Sequence, residues 1–565
     1  MPHKRRLDLV FLWHMHQPDY RDHVTGEYLL PWVYLHAIKD YTDMADHLER
    51  HPTLRAVVNF VPVLLDQIED YCAQFECGAF RDPLLRLLAT ADLGQIDATD
   101  RKLLVTACFR SNHPTMQAPF PRYQRLHDLY LRLADEGEHA INYLSGEYFA
   151  DLVTWYHLAW TGETERRRNP LIVELMTKGE AFQYADRKGL LDLIGRALRN
   201  LIPRYRALQE RGQIELSATP GTHPLAPLLI DFKAARESLP ESPLPAAAVY
   251  PGGRSRVGAH IEAAKASHAH RFGLPPSGMW PAEGAVSTIL VEQLARSGCL
   301  WLATGEGVLR NSLGTAGNAR SAYRPWRLPT APGITLFFRD ERLSDQIGFE
   351  YAKWHGHDAA AHFVGQLEEI LAADTATEAP VVSVILDGEN AWEHYPYNGF
   401  FFFEELYGLL EHQANIRTTT YAELLARHVP PVRSDLPRLV AGSWVYGTLS
   451  TWIGDAQKNR AWDLLCAAKQ SFDLIVACGR LNPEEQAAAE RQLAICESSD
   501  WFWWFGDYNP ALAVSTFDRL FRLNLTNLYR LIKLAPPSQL NLPISSGSRS
   551  ATGDGTMRRA QEGPS

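Results

Sequence analysis

Six short apolar runs recur along the chain, at residues 7–13, 55–61, 213–217, 299–303, 334–338 and 381–386, and each closes on polar or charged residues. Most lack the strict alternation of a strand with one wet face, which is the pattern of strands buried on both sides of a parallel sheet. Between them lie amphipathic stretches rich in Leu and Ala, such as 259–267, 287–297 and 359–373. Strand and helix in alternation predict an α/β barrel or open sheet.

With 565 residues the chain exceeds one small core and is expected to form two or three packed units, or one barrel with large insertions. The interval from about 64 to 210 carries helical patterning and few strand candidates, and reads as a helical insertion in a unit spanning 1–428. Pro430, Pro431 and Pro437 mark a boundary, after which 429–535 reads as a second, helical domain. The tail, 536–565, is rich in Ser, Gly and Pro and is expected to be disordered.

A formal net charge of −10 argues against nucleic acid or an anionic membrane as the main partner, and is indifferent to a neutral one. No stretch reaches membrane-spanning length. Seven scattered cysteines, an odd number without a tight pair, do not form a disulfide or zinc framework. The basic N-terminus leads into an apolar run broken at once by His14 and His16, too short for an export leader. Together these features predict a reducing, cytoplasmic setting. The oligomeric state is not encoded in any pattern found.

Chemistry-bearing residues gather where strands end, the position from which barrel loops build an active site. After the first strand, His14 and His16 alternate, as ligand-binding or metal-ligating groups or as strand-end histidines satisfied by backbone. Glu215 falls in an otherwise apolar strand, where a carboxylate must be paired or line a site; His223 follows. Trp280-Pro281-Ala282-Glu283-Gly284 holds one carboxylate on a tight loop. The run 381–386 leads straight to Asp387, with Glu389, Trp392 and Glu393 close behind. Mutual repulsion there is expected to raise a carboxyl pKa, as a general acid requires, with a metal-binding acidic loop as the competing reading. Further on, Trp444, Trp452, Asp455, Arg460 and Trp462 interleave without helical period, as a ligand grip or a domain interface. Arg339, Arg342 and Asp345 are candidates to hold the site's carboxylates. Residues 499–507 pack Trp501, Phe502, Trp503, Trp504 and Phe505 against Asp500 and Asp507, as an interface or a sugar platform.

Taken together and in this order, the clusters resemble the five sequence regions of glycoside hydrolase family 57, over about residues 7–534. The nearest subgroup is the α-amylase and amylopullulanase type, on residues 278–287, 387–399 and 499–506. The resemblance implies an incomplete seven-stranded (β/α) barrel with a C-terminal helical domain completing the cleft. It implies Glu283 as nucleophile and Asp387 as acid/base, with substrate contacts at His14, His16, Glu215, Trp280, Glu389, Trp392 and Asp455. It also implies an α-glucan or malto-oligosaccharide substrate, with no metal or other cofactor. Ala282 and Gly284 depart from the Pro and Cys common in the family's transferases and branching enzymes.

The expected activity is retaining hydrolysis of α-1,4 glucosidic bonds through a glycosyl-enzyme, with α-1,6 cleavage open. A 4-α-glucanotransferase or glycogen branching enzyme is the alternative within the family. Two other classes stay in view: a metal-dependent carbohydrate enzyme using His14, His16 and an Asp, and a non-catalytic glucan-binding protein.

Overall fold

In the computed structural model, residues 6–548 apart from 318, 319, 377 and 429 are described, together with 556 and 557. Seven strands form the centre: β1 (Leu7–Met15), β2 (Ala56–Phe60), β3 (Ile214–Ala218), β4 (Gly278–Met279), β5 (Trp301–Gly305), β6 (Ala331–Arg339) and β7 (Val381–Asp387). Neighbours pair in parallel in sequence order. β7 also pairs with β1, His14 opposite Asp387, and β6 with β7, Arg339 opposite Ser383, so the ring closes. This is a (β/α) barrel one unit short of eight.

The six apolar runs all become strands because each buries both faces, and every residue of β1 and β2 is buried. β4 carries no such signal, having only two residues. A Cβ on Gly278 would lie 2.3 Å from the Trp301 indole, so only glycine lets this strand lie against β5. Short strands at Trp326–Leu328, Ile416–Thr418 and Ser434–Asp435 extend the sheet outside the ring.

Helices fill the interval between β2 and β3, among them α1 (Pro62–Cys77), α2 (Gly146–Ala159) and α3 (Tyr184–Glu210). A further helix between β3 and β4, α4 (Gly253–Phe272), packs outside the barrel against β3. Beyond the barrel, α5 (Ala456–Ala477), α6 (Asp500–Trp504) and α7 (Ala511–Leu531) pack on one another. Asp455 is the N-cap of α5: its Oδ1 accepts from the backbone N–H of Gln457 at 2.7 Å and of Lys458 at 3.2 Å.

The segment 536–548, expected to be disordered, is packed. Leu540 and Ile544 are buried, and the backbone N–H of Ile544 donates to Asp518 Oδ1 at 2.7 Å. Two well-placed apolar residues and one carboxylate suffice to dock a stretch whose composition reads as solvated. The rest of the expected tail lies outside the described residues, save 556 and 557. No helix among the described residues is long and apolar enough to cross a membrane.

Candidate active site

The C-terminal ends of β1 and β7 and the loops after β3 and β4 meet in a cavity of about 520 Å³. Its floor carries His14, His16, His223, Glu283, Asp387 and Glu389. One wall comes from helical segments between β1 and β3, with Trp32, Arg110 and Trp160. The opposite wall comes from the C-terminal helices, with Trp503, Trp504 and Phe517. Two apolar walls over a charged floor suit a ligand that is both ring-shaped and rich in hydroxyls.

Glu283 is held by a backbone in the left-handed region, φ +59, and Gly284 follows at φ +56. A Cβ on Gly284 would stand 2.6 Å from the Trp280 indole, so the tryptophan packs against the back of this loop. Strain at a non-glycine residue costs on the order of 1–3 kcal/mol and persists only where the surroundings enforce it. Here Trp444 donates its indole N–H to Glu283 Oε2 at 3.2 Å, and Ser499 Oγ lies 3.0 Å from Oε1. Burial, and then the negative charges of Asp500 and Asp387, push the Glu283 carboxyl up to about 8.

Asp387 ends β7 and accepts from Asn390 Nδ2 at 2.8 Å. Burial raises its carboxyl to about 6, although Asn390, His16 and Arg339 all favour the charged form. Glu389 is pushed well above the usual range, again chiefly by burial, while Oε1 accepts from the His16 N–H at 3.2 Å and from Gln17 Nε2 at 3.3 Å. The expected cause of these shifts was repulsion among neighbouring acids; desolvation outweighs it. The order is also informative. Glu283, expected to be ionised, holds its proton to higher pH than Asp387, and as a coupled pair they share one proton between about pH 6 and 8.

The histidines form one stack. His14 Nδ1 lies 2.7 Å from Asn59 Oδ1, and its Nε2 lies 3.1 Å from His223 Nε2. His223 Nδ1 reaches Ser499 Oγ at 2.8 Å, and His16 Nε2 meets both Asp500 oxygens at 3.0 Å. Burial, with His16 nearby, lowers the His14 imidazole to about 3, so it is neutral. His16, His223 and Asp500 bring ligand-type atoms within 4.8 Å of one another, the composition of a metal centre. Their geometry is unsuited to one. The two rings lie face to face at 3.9 Å and 16°, so their in-plane lone pairs run side by side instead of converging on a point about 2.0–2.1 Å from each nitrogen.

Of the expected site residues, the cavity gathers His14, His16, Glu283, Asp387 and Glu389. Four others lie outside its lining. Glu215 sits near the start of β3, where it accepts from Trp301 Nε1 at 2.7 Å and from the Ala422 N–H at 2.8 Å. Trp280 is fully buried against Trp444. Trp392 is buried among Trp13, Tyr395 and Phe403, its N–H donating to Gly388 O. Asp455 is spent on its helix cap. Arg339 pairs with Asp345 at 2.9 Å and influences Asp387 by charge alone, while Arg342 turns to Gln366.

Sequence reasoning missed Asn59, left His223 without a role, placed Trp444 only in a cluster read as ligand grip or domain interface, and did not separate Ser499 and Asp500 from their aromatic neighbours. Trp503 and Trp504 line the cleft while Trp501 and Phe502 are buried, so the aromatic cluster lies partly on the cleft wall and partly in the interior.

With this geometry in place, the class is settled. The model of glycosyl hydrolase family 57 matches residues 10–437, and the chain belongs to that family. Its members and structural neighbours are glycoside hydrolases and transglycosylases. The chain's fold is similar to a branching enzyme of this family from Thermococcus kodakaraensis, at 16% identity and TM-score 0.59 over 93% of this chain and 90% of that one. A GH57-type branching enzyme from Pyrococcus horikoshii gives 17% and 0.58 over 98% and 99%. An α-amylase from Thermotoga maritima gives 14% and 0.56 over 94% and 93%. No curated protein sequence matches.

Proposed function

We propose that the protein is a retaining α-glucan-active hydrolase in which Glu283 is the nucleophile and Asp387 the acid/base. The observation that carries this reading is Glu283 itself: a carboxylate on a strained backbone, fixed by Trp444 and Ser499, sharing a cavity floor with Asp387. In the form of the pair whose shared proton sits on Asp387, Glu283 is ionised and attacks the anomeric carbon, and Asp387 gives its proton to the departing oxygen. Asp387 then takes a proton from water as the water oxygen bonds to the anomeric carbon and the bond to Glu283 breaks, which frees the sugar and returns Glu283 ionised and Asp387 protonated. His16, Glu389 and Asp500 offer hydrogen bonds to sugar hydroxyls, and Trp503 and Trp504 offer ring faces. That the fold neighbours are named branching enzymes and an α-amylase supports an α-glucan as the substrate class. Seven free thiols support a reducing compartment.

Transfer to a glucan acceptor runs through the same intermediate. The apolar wall of Trp503, Trp504, Leu512 and Phe517 favours it, because it gives an acceptor sugar a surface to stack on. Product analysis with maltoheptaose, starch and pullulan, with Glu283→Gln as control, separates the two. Shorter maltodextrins alone mean hydrolysis, and chains both longer and shorter than the input mean transfer. An undiminished Glu283→Gln protein would refute the assignment.

A further inference from the structure

Glu283 is the outer end of a line of buried polar groups that runs inward to the wall of the barrel. We propose that this wire, Glu283–Ser499–His223–His14–Asn59, sets the protonation of Glu283, and that Asn59 is the positioning residue that fixes its direction. The inference rests on the reading of Glu283 as nucleophile.

Each link has one proton and a limited choice of partners. Asn59 Nδ2 donates to Ser217 Oγ at 2.8 Å, which leaves Oδ1 facing His14 Nδ1 at 2.7 Å. A carbonyl oxygen only accepts, so His14 carries its proton on Nδ1 and its Nε2 is a bare acceptor. His223 Nε2, 3.1 Å away, must then be the N–H donor. As a neutral ring, His223 has a bare Nδ1, and that atom takes the Ser499 hydroxyl proton across 2.8 Å. With that proton committed to His223, Ser499 Oγ can meet Glu283 Oε1 only as an acceptor, the reverse of the donor role it takes toward an ionised Glu283. The other carboxyl oxygen receives the Trp444 N–H, so the acid proton belongs on Oε1, pointing at Ser499. Every link is satisfied when Glu283 is protonated. An ionised Glu283 draws the Ser499 proton to itself and leaves His223 Nδ1 without its donor unless both histidines exchange tautomers.

Other groups also bear on Glu283. Asp387 and Asp500 disfavour its charge. His223 Nδ1 lies 3.9 Å from it, Arg339 stands over the far side of Trp444, and His16 and Glu389 face Asp387. None of these reverses when Asn59 is altered; the wire does. The Thr219 hydroxyl, within 2.9 Å of Asn59 Oδ1 and 2.7 Å of Trp280 O, supplies the competing arrangement. If its proton stays on the Trp280 carbonyl, the Asn59 amide turns round and the whole wire runs the other way.

Histidine-selective ¹⁵N NMR of the intact protein reads the direction without any turnover, with His14→Gln and His223→Gln used to assign the signals. The expected result is an Nδ1–H tautomer at His14 and an Nε2–H tautomer at His223; an Nε2–H tautomer at His14 overturns the wire. The second arm is the pH profile of kcat/KM. Asn59→Leu frees His14 to exchange tautomers and should move the alkaline limb down by about one pH unit, the effect of one charge-assisted hydrogen bond to a carboxylate. Asn59→Asp keeps an acceptor at His14 and should leave the limb in place or raise it. Equal shifts in both variants, or none in Asn59→Leu, overturn the proposal. Failure of the nucleophile reading shows separately, as an active Glu283→Gln enzyme with the tautomers unchanged.

Discussion

At the scale of single residues, the site is a set of groups each forced into a state it would not choose in water. Glu283 sits in the left-handed region, and His223, which reaches the same Ser499, has φ +65. Neither is a glycine, and both are held by what surrounds them. The fit between Gly284 and Trp280 leaves no space for one more carbon. Gly284→Ala should push the loop off the indole and lower kcat at least tenfold with the fold intact, as checked by steady-state rates beside a thermal melt. The shared proton makes a second prediction. The pair holds one proton between about pH 6 and 8, so kcat/KM should peak near pH 7 and fall on both sides. Asp500 is the negative charge that acts most strongly on Glu283, so Asp500→Asn should bring the alkaline limb down. A flat profile from pH 5 to 9 would contradict the pairing.

At the scale of elements, what could be read in the sequence follows from where each signal originates. β1, β2 and β7 were legible because a strand buried on both faces must be continuously apolar, and His14 and Asp387 were legible because they terminate such runs. Glu215 was misjudged because an inward-facing carboxylate was recognised without regard to strand direction. It is the second residue of β3, on the face opposite the cleft, where burial lifts it to about 7 and its partners are Trp301 and the Ala422 N–H. Asp455 carried a readable cap signal, an acid directly before a long helix. Asp455→Ala should cost about 1 kcal/mol of stability with KM unchanged, which calorimetry and rate measurements separate from a sugar contact. No local pattern encodes the delivery of Ser499 and Asp500. It depends on Glu497, which is buried and accepts from Arg256 at 2.7 Å, His260 at 2.7 Å and Tyr250 at 2.6 Å. Burial alone would raise this carboxyl, but Arg256 and His260 outweigh it and hold it at about 2. Arg256→Met leaves that charge with too few partners and should cost roughly 3–5 kcal/mol. It should also raise KM by loosening Ser499 and Asp500, and a variant with lost stability but unchanged KM would show that Glu497 only braces the fold.

At the scale of the whole molecule, the buried carboxyls set how stability responds to pH. Glu215 at about 7, Glu283 at about 8 and Glu389 well above its usual value all hold protons in the folded state that the unfolded chain releases near pH 4–5. A raised carboxyl pKa means that the folded state binds more protons, so stability falls as pH rises from the unfolded value to the folded one. Buried histidines act the opposite way. His14 at about 3, His157 at about 4 and His223, held by burial well below its usual value, stay neutral where the unfolded chain is charged, so they add stability as pH rises toward 6.5. Below 6.5 the two sets offset one another. Above 6.5 the histidines are neutral in both states and no longer contribute, while the carboxyls continue to titrate. Each group still inside its window removes ~1.4 kcal/mol per pH unit. The melting temperature should therefore fall from pH 6.5 to 8, and thermal melts at half-unit steps measure the slope. Glu215 is the group to remove, because it lies outside the lining of the cleft. Glu215→Gln should flatten the slope between pH 5 and 7 while keeping activity. A wild-type protein that grows more stable from pH 6.5 to 8 would mean that these carboxyls are ionised in the folded state, and with that the shared proton of Glu283 and Asp387 would go too.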